Sequence, residues 1–254
     1  MTDTRPTSGE TQTHRDLKRA AVFWAQAQGF NLVAEEVRIP RSSYRADVVA
    51  CESTLKGGPS IRRSALFECK QSRADLLKDS RVVQQTLARI AELTARRQEL
   101  DRLLGLHYPS LRTSEELFNQ FVVPVEADKL GHEGYAATVR ELDTLQRRLY
   151  GKTKFDRLLR HQNADLHYLV IRGGIIQPHE APQGWGLLIW DGETFEPLAP
   201  GLPRLTLATQ PTLCQTTEAC RTELLIGIAR TATRGLNKAH GLAVEAVFES
   251  RRQG

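Results

Sequence analysis

The sequence is poor in the features that define special protein classes. Of its 254 residues, 6% are aromatic and four are cysteine. The cysteines form no CxxC pair, and no His or Cys stands at zinc-finger spacing from Cys214 and Cys220. This pattern excludes a disulfide framework and a zinc finger, and it indicates reduced thiols in a cytoplasmic protein.

Long apolar segments are missing as well. The first residues, MTDTRPTSGETQT, are polar, and no later stretch reaches about eighteen consecutive apolar residues. We therefore expect neither a signal peptide nor a transmembrane helix. The chain is 40% hydrophobic and 26% charged, which is typical of a soluble globular protein. Its formal net charge of +5 is compatible with a nucleic-acid partner but does not demonstrate one.

Hydrophobic periodicity predicts a helix and three short strands near the N-terminus. After a disordered tail we expect a helix from about residue 13 or 14 to 28, since apolar residues recur there at helical spacing. Strands are predicted at 31–40, 44–51 and 64–71. A helix is then expected to begin at Ser72 or Asp75.

Two amphipathic segments follow, VVQQTLARIAELTARRQELDRLLGL and GYAATVRELDTLQRRLY. Both are rich in Arg, Glu and Leu, and together they predict a helical insertion, arranged as a hairpin. Their charges are typical of a solvated helical face with pairs of opposite sign. The alternative is a dimerisation or DNA-clamping arm, through which a homodimer or larger complex would form.

Beyond the insertion, the pattern returns to buried strands. HYLVI and GWGLLIWDG predict two further strands, a Pro-rich link is expected at 197–211, and a final helix at 217–236. We divide the chain into a tail (1–12), a core (13–81 and 150–200), the helical insertion (82–149), and a C-terminal linker with a helix packing on the core (201–254).

Charged residues interrupt the predicted strands at one point. Side chains at i and i+2 share a strand face, so Glu68 and Lys70 point the same way. If the neighbouring strands are antiparallel, Asp47 lies beside Glu68, and two adjacent carboxylates require a cation. Hard oxygen ligands suit Mg²⁺ or Mn²⁺. The backbone carbonyl of Cys69 would supply a further oxygen, and Glu36 is a fourth candidate ligand.

Lys70 is interpreted as a catalytic group, because an ammonium beside a metal-bound water orients it or stabilises charge on a phosphate. The alternative for these residues is an ordinary salt bridge near a strand end. Weaker candidates for DNA binding or for shaping the site are residues His14, Lys18, Arg45, Gln71, Arg73, Asp75, Lys152 and Lys154. For His14 the alternative is a helix cap, and for Lys152 and Lys154 it is a solvated face.

The ordered pattern resembles the PD-(D/E)XK nuclease superfamily. R-A-D-V-V-A supplies the aspartate and F-E-C-K the E-x-K triplet, while THRDLKRAAVFWAQAQGF and ADLHYLVIRGGII are similar to the MmcB-type DNA-repair nuclease branch. The resemblance covers about residues 13–80 and 150–198. It implies an α/β fold with an αβββαβ restriction-endonuclease-like core, a mixed central sheet flanked by helices, and an active site of Asp47, Glu68 and Lys70. Ala46 departs from the superfamily's proline before the aspartate.

These observations lead to a hypothesis and two alternatives. The chain is predicted to be a metal-dependent deoxyribonuclease that hydrolyses phosphodiester bonds in DNA repair or in defence against foreign DNA. The first alternative is a non-catalytic module of the same fold that binds DNA or a protein within a larger DNA-processing complex. In the second, the helical insertion is an oligomerisation arm and is the main functional element.

Overall fold

The computed structural model describes residues 11–56, 58, 60–73, 80–107, 132–151, 153–192 and 205–241, except for the side chains at 80–84 and 104–107. Most of the predicted tail, the candidate residues Asp75 and Lys152, and the predicted helix start at Asp75 lie outside these described residues. Ser72, the alternative helix start, is described and is not helical.

A six-stranded mixed sheet forms the centre of the protein. Its strands are β1 (Leu32–Arg38), β2 (Arg45–Thr54), β3 (Ser60–Lys70), β4 (Leu166–Arg172), β5 (Gly186–Trp190) and β6 (Leu205–Thr209). They lie in chain order, β1-β2-β3-β4-β5-β6. The β3–β4 and β4–β5 pairs are parallel, and the other pairs are antiparallel. The two parallel pairs require crossover connections, and the longest of these contains the helical insertion.

Helices flank this sheet. They are α1 (Gln12–Ala27), α2 (Ser80–His107), α3 (Glu133–Tyr150), α4 (Lys154–Arg160) and α5 (Glu218–Ala239), with a short 3-10 helix at Pro178–Glu180. α1 buries Leu17, Ala20 and Ala21 among residues of β2, β3 and β4 on one face. α5 buries Leu224 and Ile228 in the core on the opposite face. The result is a mixed α/β fold with a core on each side of the sheet.

The helical insertion packs as two neighbouring helices. Ile90 and Leu93 of α2 form a small buried cluster with Leu142 of α3. Arg89 of α2 forms an exposed ion pair with Glu141 of α3, at 2.7 Å. The buried cluster therefore aligns α2 and α3, and the ion pair lies on their solvent side.

The structure corrects the sequence prediction in three places. The predicted Pro-rich link at 197–211, part of which we assigned to a C-terminal linker, contains β6, which pairs with β5 in the sheet. β2 and β3 extend to Thr54 and from Ser60, so the turn between them is shorter than expected. The first helix begins at Gln12 with Thr11 as its N-cap, so His14 is not the cap. Among the described residues, no helix is long and apolar enough to span a membrane.

Candidate active site

Two carboxylates face each other where β2 and β3 pair. Val48 of β2 is opposite Phe67 of β3 and Val49 is opposite Leu66, so the same antiparallel register places Asp47 opposite Glu68. Directly opposite residues in such a pair have Cβ atoms about 4.5–5.5 Å apart. The sequence had predicted this proximity from strand alternation, and the pairing supplies it.

Asp47 is held by groups from two other elements. The backbone N–H of Cys69 donates to Asp47 Oδ2 at 2.6 Å, and His14 Nε2 of α1 lies 3.5 Å from Asp47 Oδ1. Burial alone would raise the pKa of Asp47. The hydrogen bonds from His14 and Cys69, with Coulomb attraction to His14 and Lys154, outweigh burial and lower the pKa of Asp47 below its ordinary value. Asp47 is therefore held as a carboxylate.

Glu68 experiences the opposite balance. Its side chain is nearly fully buried, at 2% exposure. Burial and repulsion from Asp47 raise the pKa of Glu68 to about 7, although Lys154 and Lys70 act against this shift. The ammonium Nζ of Lys154, at the start of α4, lies 2.6 Å from Glu68 Oε1. Lys154 also donates a hydrogen bond to the carbonyl oxygen of Arg45, at 2.5 Å. The buried carboxylate is thus paired with a lysine from α4, and Lys70 of its own strand adds a further attraction.

Glu36 completes the group on the β1 side. Since Glu35 pairs with Val48 and Val37 with Ala46, the register brings Glu36 opposite Asp47. The backbone of Glu36 has a φ of 56°, a left-handed conformation that residues other than Gly rarely adopt within a strand. Lys18 Nζ of α1 lies 2.9 Å from Glu36 Oε1 and 3.7 Å from Glu35 Oε2. Both glutamates therefore turn to the same buried lysine.

The donor set fits a divalent cation. Among the described residues, ligand atoms of His14, Glu36 and Asp47 lie within 4.8 Å of one another. Glu68 faces Asp47 from the next strand, and its pKa is raised first by burial and then by repulsion from Asp47. Carboxylate oxygens from three strands are the ligands that Mg²⁺ and Mn²⁺ accept, whereas the imidazole of His14 suits other transition metals better. His14, Glu36 and Asp47 are therefore the described residues whose ligand atoms lie close enough together to share a cation, and Glu68 lies beside this group.

The remaining candidates surround this group unequally. Lys70 ends β3, two residues beyond Glu68, and is half-buried. Arg45 Nη1 lies 3.5 Å from Glu36 Oε2 and is exposed. Gln71 accepts a hydrogen bond from the hydroxyl of Thr11 in front of α1. Cys69 contributes its N–H to Asp47, and it pairs with Val170 of β4 in the parallel part of the sheet.

Arg73 has a different role from the others. Its guanidinium makes two hydrogen bonds to Glu180, at 3.0 and 2.5 Å, and a third to the carbonyl of Ile175, at 3.2 Å. Glu180 is buried and also accepts from the N–H of Gln177. Arg73 therefore fixes the chain after β3 to the 3-10 helix, and among the described residues it contacts no member of the carboxylate group.

Sequence reasoning missed two features of the site. The sequence makes Lys154 a candidate for phosphate contact, but its pairing with Glu68 depends on how α4 packs over β3, which no local pattern encodes. The sequence makes Lys18 a candidate of the same kind, yet its side chain is buried, at 2% exposure. A signal existed here, because Lys18 shares the helical spacing of the buried Ala21 and Ala25. A lysine on the apolar face of a helix indicates a buried partner.

Comparison with known proteins adds little. No protein-family model matches the chain, and no curated protein matches it. Among solved structures, it is similar to the SPO1766 protein of unknown function from Silicibacter pomeroyi, with 16% sequence identity and a TM-score of 0.46. The match covers 91% of this chain and 94% of the other.

Proposed function

We propose that the protein is a metal-dependent deoxyribonuclease with a PD-(D/E)XK-type αβββαβ core. The observation that carries this proposal is the register that sets Asp47 against Glu68, with Lys70 two residues further along the same strand. A buried acid facing a second acid is costly for stability alone. Such an arrangement is common where a cation and a phosphate are bound.

Each residue has a role in this proposal. Asp47, Glu68 and Glu36 would hold Mg²⁺ or Mn²⁺, and His14 keeps Asp47 oriented through its 3.5 Å contact. When bound, the cation would lower the pKa of a water molecule and polarise a phosphoryl oxygen. Lys70 would donate hydrogen bonds to the attacking water or to the phosphate, where negative charge develops.

Two lysines act as counter-ions in the metal-free protein. Lys154 neutralises Glu68 and Lys18 neutralises Glu36, at 2.6 and 2.9 Å. Without them, three carboxylates would repel one another in a partly buried site. We propose that these ion pairs keep the site folded before the cation binds.

The test is cleavage of a panel of DNA substrates. The purified chain would be incubated with Mg²⁺ or Mn²⁺ and with linear, circular, single-stranded and flapped DNA. Lys70→Ala should reduce cleavage by about 100-fold or more, because a group acting in the transition state is lost. Lys56→Ala, at an exposed turn position, is the matched control and should cleave as the unaltered chain does.

Asp47→Ala gives a second, independent variant. It should lose cleavage and also lose metal binding, measured calorimetrically with Mn²⁺. Cleavage that survives in folded Lys70→Ala or Asp47→Ala protein would refute the assignment, and so would absence of cleavage on every substrate with either metal.

A second candidate function is DNA binding without cleavage. The observation that favours it is that Lys154 and Lys18 already pair with Glu68 and Glu36, so two of the three carboxylates have a counter-ion without a metal. This candidate predicts salt-dependent binding of DNA with no metal-dependent turnover. The same substrate panel separates it from the nuclease.

A further inference from the structure

A large groove runs between α5 and the turn that joins β1 to β2. Its volume is about 1400 Å³. The turn side is formed by residues 38–43, and the helix side by residues between Glu223 and Asn237. Its apolar floor includes Ile39 and the half-exposed Ile226, which is 45% exposed. We call it the arginine groove, for the side chains described next.

The charge of the arginine groove has one dominant sign. Arg38, Arg41, Arg230 and Arg234 line it, and among the described lining residues Glu223 is the one acid. Arg41 Nη2 lies 2.7 Å from Glu223 Oε1, so this acid is already neutralised within the groove. All four arginines are exposed. The complementary occupant is therefore an anionic chain.

The arginine groove is connected to the candidate active site by strand register. Arg38 at the end of β1 pairs with Arg45 at the start of β2. Arg45 in turn reaches Glu36, at 3.5 Å, and its carbonyl oxygen accepts from Lys154. Cationic residues thus lie along the β1–β2 pair between the groove and the carboxylates.

We propose that the arginine groove binds the sugar-phosphate backbone of the DNA strand that enters the active site. This inference rests on the proposed function and adds the surface that positions the substrate. The lining part of α5 from Ile226 to Asn237 is about 16 Å long. Arg230 and Arg234, one helical turn apart, would contact successive phosphates.

The geometry of the arginine groove fits a nucleic acid better than an acidic peptide. A peptide-docking groove has no reason to continue through Arg38 and Arg45 to a cluster of carboxylates. Part of a phosphate chain would lie on the arginines while one phosphate reached Lys70. Phosphate contacts also require no aromatic pocket, and the lining residues include none.

The experiment compares two double variants that remove the same charge. The double variant Arg230→Ala with Arg234→Ala removes both arginines that α5 contributes to the groove. Arg140→Ala with Arg148→Ala removes two exposed arginines from α3, away from the groove. DNA binding would be measured by fluorescence anisotropy in EDTA across a salt series, so that the readout does not depend on cleavage.

The affinity of the groove variant for DNA should be lower by a factor of about ten or more. The slope of log affinity against log salt concentration should become shallower by about 1.5 to 2, because two phosphate contacts are lost. The α3 variant should change affinity less than about twofold. A variant with Lys at both groove positions should retain most of the binding, which separates lost charge from lost folding.

The outcomes distinguish this inference from the nuclease proposal. Equal DNA affinity of the two Ala variants would overturn the groove assignment even if the unaltered chain cleaves DNA. A selective loss of binding in a chain that never cleaves would support the groove and refute the nuclease. Binding of a polyglutamate peptide, but not DNA, at Arg230 and Arg234 would make the groove a protein-docking surface and overturn the inference.

Discussion

Two buried acids lie near β3, and their surroundings differ. Asp165, just before β4, is 1% exposed, and Glu68 is 2% exposed. Asp165 makes two hydrogen bonds with Arg221 of α5, at 2.8 and 2.7 Å, and accepts from the N–H and hydroxyl of Ser64 at 2.7 and 2.8 Å. Glu68 has one lysine and faces a second carboxylate.

The difference separates an acid whose two oxygens are both paired from an acid that faces a second carboxylate. Asp165 has a partner for each oxygen, and its bonds tie α5 to the sheet. Glu68 is held in a state that its surroundings oppose, with its pKa raised to about 7. Burial alone therefore does not mark a site in this protein. The useful signal is a buried charge whose partners leave repulsion unrelieved.

The largest expected effect on stability is at Asp165. Asp165→Ala leaves Arg221 and Ser64 without their acceptor, which should lower the free energy of unfolding by about 4 kcal/mol. Asp47→Ala should cost at most about 1 kcal/mol, since it also relieves repulsion on Glu68. Urea denaturation of both variants measures the contrast. Equal losses would show that the two acids do not differ as described.

The next effect is the pH dependence contributed by Glu68. Its pKa is about 7 in the folded protein and 4.5 ordinarily, so the unfolded chain loses this proton first as pH rises. Glu68 therefore stabilises the fold fully at a pH below 4.5, and this contribution is lost as the pH rises through 7. The total loss in the free energy of unfolding is about 3 kcal/mol. Glu68→Gln should escape this loss.

Denaturation across pH, without metal, checks the prediction. The stability of Glu68→Gln relative to the unaltered chain should increase from acid to alkaline pH. A constant difference between the two proteins would contradict the raised pKa of Glu68. The contribution of Asp47 to stability changes with pH in the opposite direction. Because its pKa is lowered in the folded protein, Asp47 stabilises the fold above the ordinary pKa of an aspartate, and this stability is lost as pH falls through the lowered pKa.

A smaller effect is expected from the lysine that pairs with Glu68. Lys154→Met should lower the free energy of unfolding by about 2 kcal/mol above neutral pH, because it leaves a buried carboxylate unpaired. The loss should shrink in acid, where Glu68 is protonated. The measurement is denaturation of this variant at one acid and one alkaline pH, and a pH-independent loss would contradict the pairing.

The smallest effect is expected at an exposed ion pair. Arg89 of α2 contacts Glu92 at 2.8 Å and Glu141 of α3 at 2.7 Å, all on the protein surface. Water and salt screen such pairs, so Arg89→Ala should leave the urea midpoint close to that of the unaltered chain. A loss comparable with that of Lys154→Met would show that the α2–α3 pair depends on this contact.

Most of the sheet followed from local patterns. Alternation and apolar runs predicted the first five strands and the position of Asp47 beside Glu68, because strand periodicity fixes which side chains share a face. β6 was missed because its five residues, Leu205–Thr209, lie between Pro203 and Pro211, which indicate a link. Its strand state depends on pairing with β5, which is a tertiary effect.

The site was less predictable than the sheet. Residues within one strand pair, such as Asp47 and Glu68, follow from sequence. The counter-ion Lys154 is 86 positions from Glu68, and Arg221 is 56 positions from Asp165. Such contacts depend on how helices dock on the sheet, and the resemblance to known nucleases did not specify them.

The left-handed backbone of Glu36 has one more consequence. This conformation costs a residue with a Cβ atom about 1–2 kcal/mol of conformational free energy, whereas glycine adopts it readily. Selection for stability alone would favour Gly or Asn at position 36, with a relaxed strand and no carboxylate. A glutamate there, beside Asp47, keeps a carboxylate at this position at a cost in stability. In related chains, the residue at this position would distinguish those that keep the carboxylate site from those that keep only the fold.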